Sequence, residues 1–171
     1  DDARDLRIVN TNGHEAVNQF LDNGDLLITG NYLENLGPTK TNNGSNTTDI
    51  FLARNLENFK LSHFDEPINS IYNEADAFMT KDRNIILFTS DRPGHLGDYH
   101  KKGWLWNESY WGNTDIYVST KNGDTWSNPI NLGKKINTPY TERTPWLSTD
   151  GLTLYLASNG YNSNRKDLNI Y

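Results

Sequence analysis

Asn69-Ser70-Ile71-Tyr72-Asn73-Glu74 opens a segment that runs on through a strand-like stretch, Ala75–Thr80, a polar turn, Lys81-Asp82-Arg83-Asn84, and an apolar stretch, Ile85–Thr89. The same order occurs twice more. Asn10–Glu15 leads to Ala16–Leu21, the turn Asp22-Asn23-Gly24-Asp25 and Leu26–Thr29, and Asn137–Glu142 leads to Thr144–Ser148, Thr149-Asp150-Gly151 and Leu152–Ala157. An Asn and a Glu five positions apart carry little information once. Three copies in register identify tandem supersecondary units that must stack to bury their apolar faces. The turn residues tolerate positive φ, as tight hairpins require. The stretches after the turns are nearly continuous in Val, Ile, Leu and aromatic residues, which predicts strands buried on both faces.

Each unit continues through a variable loop into a third strand, begun by Asp49-Ile50-Phe51, Asp115-Ile116-Tyr117 and Asn169-Ile170-Tyr171. A fourth follows, from Phe59 toward Ile68-Asn69 in the first copy and from Trp126 toward Ile136-Asn137 in the second. Four antiparallel strands per unit make a blade, and radial repetition of such sheets is the β-propeller plan. The entry residues Asn10, Asn69 and Asn137 are spaced 59 and then 68 residues apart (69 less 10, 137 less 69). The expectation is an all-β chain with about three four-stranded blades, spanning residues 10–68, 69–136 and 137–171, with residues 1–9 as a fourth strand.

The stretch from Ile136 through Thr141-Glu142-Arg143-Thr144-Pro145-Trp146 and Ser148-Thr149-Asp150-Gly151 to Ser158-Asn159-Gly160 resembles the PD40 repeat, a WD40-like propeller repeat. That repeat occurs in TolB-like propellers and in bacterial envelope proteins with OmpA-like domains. Thr89-Ser90-Asp91-Arg92-Pro93-Gly94 and Thr114–Ser119 resemble the same family's second-strand exit and third strand. The likeness covers residues 68–171 well and 8–67 loosely, because the first copy carries Thr29-Gly30-Asn31 in place of Ser-Asp-Arg. It implies a propeller in a periplasmic, outer-envelope or secreted protein. It says little of function, since the motif is made of blade-building residues. Ser119–Trp126 also resembles the Asp-box of sialidase-like propellers, with Lys121 at the Asp position, and is expected to be a structural turn.

The 171 residues suit one domain, and 35% hydrophobic with 12% aromatic content is enough for a core. A net charge of -6, a pI near 5.1 and a mean hydropathy of -0.78 argue against a nucleic-acid partner, which needs a basic stripe, and the Lys and Arg are scattered. No apolar run approaches the roughly 18 residues that cross a bilayer, and no signal-peptide pattern opens the chain. With no cysteine, disulfides, thiolate metal sites and cysteine nucleophiles are excluded. Abundant Asn, Gly, Ser, Thr and aromatics favour strands and turns.

Three blades are fewer than the four to eight that close a propeller. The units also start and stop out of phase, since Val9-Asn10 matches the end of a fourth strand and Tyr171 falls partway into a third. Two expectations follow: a fragment of a longer propeller, or a homodimer closing a six-bladed ring.

Loops on one face of a rigid scaffold are where binding residues concentrate. In an up-down blade that face places Glu15, Glu74 and Glu142 at the channel mouth beside the variable loops. Three carboxylates there could bind a cation or act as acid and base in a glycosidase-like site. Repetition favours a structural role, in which each Glu accepts backbone hydrogen bonds and locks its blade to the next, because catalytic groups differ in role. The repeat breaks at Pro93–Asn113, where Tyr99, Trp104, Trp106, Tyr110 and Trp111 crowd together after Arg92. Such aromatics suit sugar stacking or a protein partner, or fold back and pack among themselves.

His95, Asp98 and His100 are donor types for a transition metal without a convincing constraint, and no metal or cofactor is expected. The Gly37–Thr48 loop is low in complexity, and its Asn43-Gly44-Ser45 and Asn46-Thr47-Thr48 triplets, like Asn107-Glu108-Ser109, match glycosylation patterns that Asn-rich loops produce by chance. No nucleophile elbow, phosphate-cradling loop or zinc-helix motif is present. The functional expectation is a non-catalytic module that binds a protein or glycan. The alternative is part of a carbohydrate-active enzyme, a glycosidase or polysaccharide lyase.

Overall fold

The structure is a computed structural model that describes residues 14–30, 32–33, 37–38, 47–54, 60–97, 104–106, 109–111, 113–161 and 167–171, with backbone alone at 32–33, 37–38, 104–106 and 109–111. The described residues form strands and no helix. In chain order β1 (Glu15–Phe20) and β2 (Leu26–Gly30) form a hairpin, β3 (Tyr32–Leu33) and β4 (Gly37–Pro38) pair briefly, and β5 (Asp49–Arg54) and β6 (Lys60–His63) complete the first sheet in the order β1-β2-β5-β6. The second sheet contains β7 (Glu74–Met79) and β8 (Ile85–Ser90). Next comes a small hairpin of β9 (Trp104–Trp106) and β10 (Ser109–Trp111), and then β11 (Asp115–Asn122), β12 (Thr125–Trp126) and β13 (Ile130–Asn131), the last two both on β11. The third sheet is β14 (Glu142–Leu147), β15 (Leu154–Ser158) and β16 (Asn169–Ile170). All pairings are antiparallel, and none of the sheets closes on itself.

Within the described residues the expected strand order is observed, with two adjustments; residues 1–9, expected as a fourth strand, lie outside the described residues. The fourth strand of the second sheet is split, with Pro129, which has no N–H to donate, between its two pieces. The Asp-box-like stretch is the β11–β12 hairpin, turning at Gly123 with φ 62°. The first strand of each of the three sheets is also bulged: β1 between Val17 and Gln19, β7 between Ala75 and Phe78, and β14 between Arg143 and Trp146. Asp76 (φ 52°) and Thr144 (φ 49°), each two residues after the repeat Glu, hold the left-handed conformation that bends the strand there.

Alternation along the strands sorts the core into layers. Ile86 and Phe88 of β8 pack with Leu27, Ile50 and Leu52 of the first sheet, while Leu87 between them packs with Phe78, Ile116 and Leu156 toward the third. A fully buried Ile, Leu or Phe contributes about 1.5–3 kcal/mol by leaving water, so these two layers hold the sheets together. A further cluster of Leu26, Ile28, Phe51 and Ala53 is buried on the other face of the first sheet. Burial on both faces, expected of all three central strands, holds for β2 and β8 but not for β15. There Leu156 is buried but Tyr155 is exposed, because no described sheet lies against that side.

Candidate functional site

In the second and third copies the repeated Asn and Glu are consumed by the architecture; Asn10 lies outside the described residues. The buried Asn69 side chain accepts the N–H of Ile50 at 2.8 Å and donates to the carbonyls of Ile50 at 2.8 Å and Phe64 at 2.6 Å. Asn137 does the same one sheet later, accepting from Ile116 N–H at 2.9 Å and donating to Ile116 O and Asn131 Oδ1. Each Asn thus acts as a stub of strand laid along the third strand of the preceding sheet.

Glu74 and Glu142 are fully buried. Glu74 accepts Ser70 N–H at 2.7 Å, Ser70 Oγ at 2.9 Å and Ser90 Oγ at 2.7 Å, and Glu142 accepts Thr138 N–H, Thr138 Oγ1 and Ser158 Oγ in the same places. These carboxylates do accept backbone hydrogen bonds, but within their own repeat. What crosses to the preceding sheet is the main chain, Glu74 N–H to Thr48 O and Glu142 N–H to Thr114 O, both 2.8 Å. Glu15, at the start of β1, is only partly buried.

Arg92, expected at a ligand, has its guanidinium packed inside. It meets Glu74 at 3.0 Å, donates to the carbonyls of Pro67 and Ile68, and lies over the Phe88 and Tyr117 rings at 5.1 and 5.6 Å. Of the aromatic-loop residues, Tyr99 lies outside the described residues. Trp104 and Trp111 are cross-strand partners and Trp106 pairs with Ser109 in the β9–β10 hairpin, with Tyr110 opposite Leu105, but their side chains are outside the description. His95 Nδ1 lies 3.1 Å from the Arg92 carbonyl; Asp98 and His100 are outside the described residues. The described residues contain no cluster of three metal-ligating side chains and no helix long and apolar enough to cross a membrane.

The described residues that do border open space are others. A cleft of about 750 Å³ runs across the turn ends of β1, β7 and β14, at the opposite end of the second sheet from Ser90 and Asp115. Its walls carry Phe20 and Trp146, 74% and 51% exposed, with Phe78 between them; the Trp146 and Phe78 rings are 4.9 Å apart and tilted 58°. Gln19 bridges its floor, exchanging two hydrogen bonds with the Met79 backbone at 3.0 and 2.7 Å. Lys81 and Asp22 pair at 2.9 Å on the rim, and Arg83 reaches Asp25 at 3.0 Å and Asn23. Sequence reading missed this cleft, because Phe20 and Trp146 each look like the end of a core strand. The signal was their difference from the repeat: Phe20, Met79 and Leu147 hold one position, Gln19, Phe78 and Trp146 the next.

A second cavity, about 620 Å³, lies between the outer strand of the first sheet and the β11–β12 hairpin and is lined by His63 and Trp126 among others. His63 Nε2 meets the buried Asp49 at 2.8 Å.

Burial raises the carboxyls of Asp49, Glu74, Asp91, Asp115 and Glu142 above the ordinary range, against hydrogen bonds that lower them. The Asp49 hydrogen bond raises His63. A raised group binds its proton more tightly folded than unfolded, so its stabilisation is present below the unfolded pKa and is lost as pH rises through the folded one. Both sets act in one direction. The thermal midpoint is expected to be highest near about pH 5 and to fall toward about pH 8; a midpoint rising over that interval by calorimetry contradicts this. The turn residues Asp82 and Asp150, lowered by side-chain hydrogen bonds from Thr80 and Ser148, act oppositely.

In comparisons with protein-family models, curated proteins and solved structures, none matches this chain.

Proposed function

We propose that the chain is a non-catalytic binding module built from propeller blades, and that its ligand is a glycan or a protein partner of a bacterial envelope or secreted protein. Three consecutive antiparallel sheets, stacked through apolar layers and joined by the same Asn contact, support the blade reading. The observation that carries the binding reading is the cleft of about 750 Å³ flanked by exposed Phe20 and Trp146. Its volume falls within the usual few hundred to about 1,000 Å³ of ligand sites. Exposed ring faces bind the apolar face of a sugar, and the rim charges and turn hydroxyls of Ser148 and Thr149 supply polar contacts around it. Glycan fits this mixture of flat aromatics and small polar groups better than a protein hot spot does.

Glu74 and Glu142, the residues on which an acid–base mechanism would rest, are sealed from any substrate by their own hydrogen bonds. Calorimetric titration of candidate oligosaccharides chosen from a glycan array tests the reading. Trp146→Ala and Phe20→Ala are each expected to weaken binding roughly tenfold or more, about 1.4 kcal/mol, with the circular dichroism spectrum unchanged. Unaltered affinity in both variants, or turnover of the bound sugar, defeats the reading.

A further inference from the structure

The turns that close the first hairpin of each sheet are built alike. Gly24 N–H donates to Leu21 O, Arg83 N–H to Thr80 O and Gly151 N–H to Ser148 O, each at 2.8 Å, so these residues hold one equivalent position. All are left-handed there, with φ of 82°, 58° and 72°. Glycine adopts that conformation without steric cost, and arginine does not. The second copy thus carries a long cationic side chain where the backbone favours glycine, and strain held in this way marks a residue whose side chain has a use.

Arg83 stands where two cavities meet: together with Met79 it lines both the cleft of about 750 Å³ and the cavity of about 620 Å³. Its guanidinium is held in place. One nitrogen donates to Asp25 Oδ2 at 3.0 Å and the other terminal one to Asn23 Oδ1. The Asp25 side chain is 7% exposed against 34% for Arg83, so the counter-charge lies on the inner side. The other N–H groups of the fork, Nε–H among them, are spent on no described residue. Lys81 borders the first cavity, and Lys121, whose N–H donates to Asn84 O at 2.7 Å, borders the second. The second cavity also carries Asp65, Glu66 and Asp124, which puts the place for an anion at the junction and not within that cavity.

We propose that Arg83 is the specificity-determining contact of the cleft, and that it takes a carboxylate or sulfate of an acidic glycan whose chain crosses from the Phe20–Trp146 cleft into the neighbouring cavity. This rests on the glycan reading given above. A planar guanidinium fixed from its inner side pairs two oxygens of such a group at once, which gives it geometric selectivity as well as charge. The exposed rings of Phe20 and Trp146 on the same cleft favour a sugar chain over an acidic peptide as the bearer of that group.

Calorimetric titration with oligosaccharides of equal length from alginate, which carries carboxylates, from carrageenan, which carries sulfates, and from uncharged laminarin tests it, with poly-glutamate alongside. At least one acidic chain is expected to bind roughly tenfold or more tightly than the laminarin chain, the gap narrowing between about 0.05 and about 0.5 M salt. Which acidic chain binds tells carboxylate from sulfate. Arg83→Gly installs the residue of the sister turns, and Arg83→Gln keeps a side chain there without the charge. In each, with the fold checked by far-UV circular dichroism, the acidic-to-neutral affinity ratio is expected to fall roughly tenfold. Acidic chains that bind no tighter than laminarin, or a ratio that survives both substitutions, overturn the proposal and leave the cleft a glycan site. Poly-glutamate binding more tightly than either acidic glycan overturns it in favour of a peptide. Absence of binding by every glycan defeats it together with the reading on which it rests.

Discussion

Asn69→Ala is expected to destabilise the chain by about 3–5 kcal/mol, since each buried polar group left without its partner costs about 1–3 kcal/mol. The native side chain is 3% exposed and makes three hydrogen bonds to two segments. Alanine leaves the Ile50 N–H and the Phe64 carbonyl facing apolar surroundings. The Ile50 carbonyl keeps the Phe64 N–H at 3.2 Å. Asn69→Asp sharpens the test. It preserves shape and the acceptor for Ile50 N–H, but it turns an acceptor, and a buried charge, toward the two carbonyls that Nδ2 now serves. It should therefore be at least as damaging as alanine. Since small domains are stable by only about 5–15 kcal/mol, either change removes a large part of the total. Urea unfolding followed by fluorescence, read as a change in midpoint at constant slope, measures it. A loss under about 1 kcal/mol for alanine, or an aspartate variant that matches wild type, refutes the role given to this residue.

That role explains what could be read from the chain in advance. The strand runs and turns were legible because they rest on local rules: apolar stretches of strand length, and Asn, Asp and Gly where hairpins reverse. The recurrence of Asn was legible too. Its partner was not, since Ile50 lies 19 residues upstream and nothing near Asn69 specifies it. The same limit misplaced Arg92. A cation at the mouth of a variable loop suggests a ligand contact, yet its charge answers a buried Glu74 in another strand. The cleft was invisible for a related reason: Phe20 and Trp146 come from different repeats and line one cleft only when β1 and β14 flank β7. Tyr155 reads as core because its strand is apolar, and only the absence of a described sheet beside it makes it surface.

The two buried glutamates separate what the repeat requires from what one copy adds. Ser90-Asp91-Arg92 and Ser158-Asn159-Gly160 occupy the same place in successive units, so Glu74 faces a guanidinium at 3.0 Å and, among the described residues, Glu142 faces none. No side chain fits at Gly160, where an added Cβ would fall 1.8 Å from Thr138 Oγ1. Glu74→Gln keeps the volume but strips Arg92, itself only 12% exposed, of its counter-charge. Removing one partner of a buried pair costs about 3–5 kcal/mol. In Glu142→Gln the amide oxygen still accepts Thr138 N–H, and the hydroxyls of Thr138 and Ser158 can rotate to accept from the amide nitrogen. The substitution also removes a carboxylate that burial disfavours and that Asp115 repels. Its expected cost at neutral pH is about 1 kcal/mol or less, and it should flatten the decline of stability with rising pH. Urea unfolding at about pH 5 and about pH 8 resolves both effects. Equal losses for the two variants would mean that Arg92 contributes nothing through its charge. An unchanged pH slope in Glu142→Gln would mean that this carboxyl titrates as freely in the folded chain as in the unfolded one.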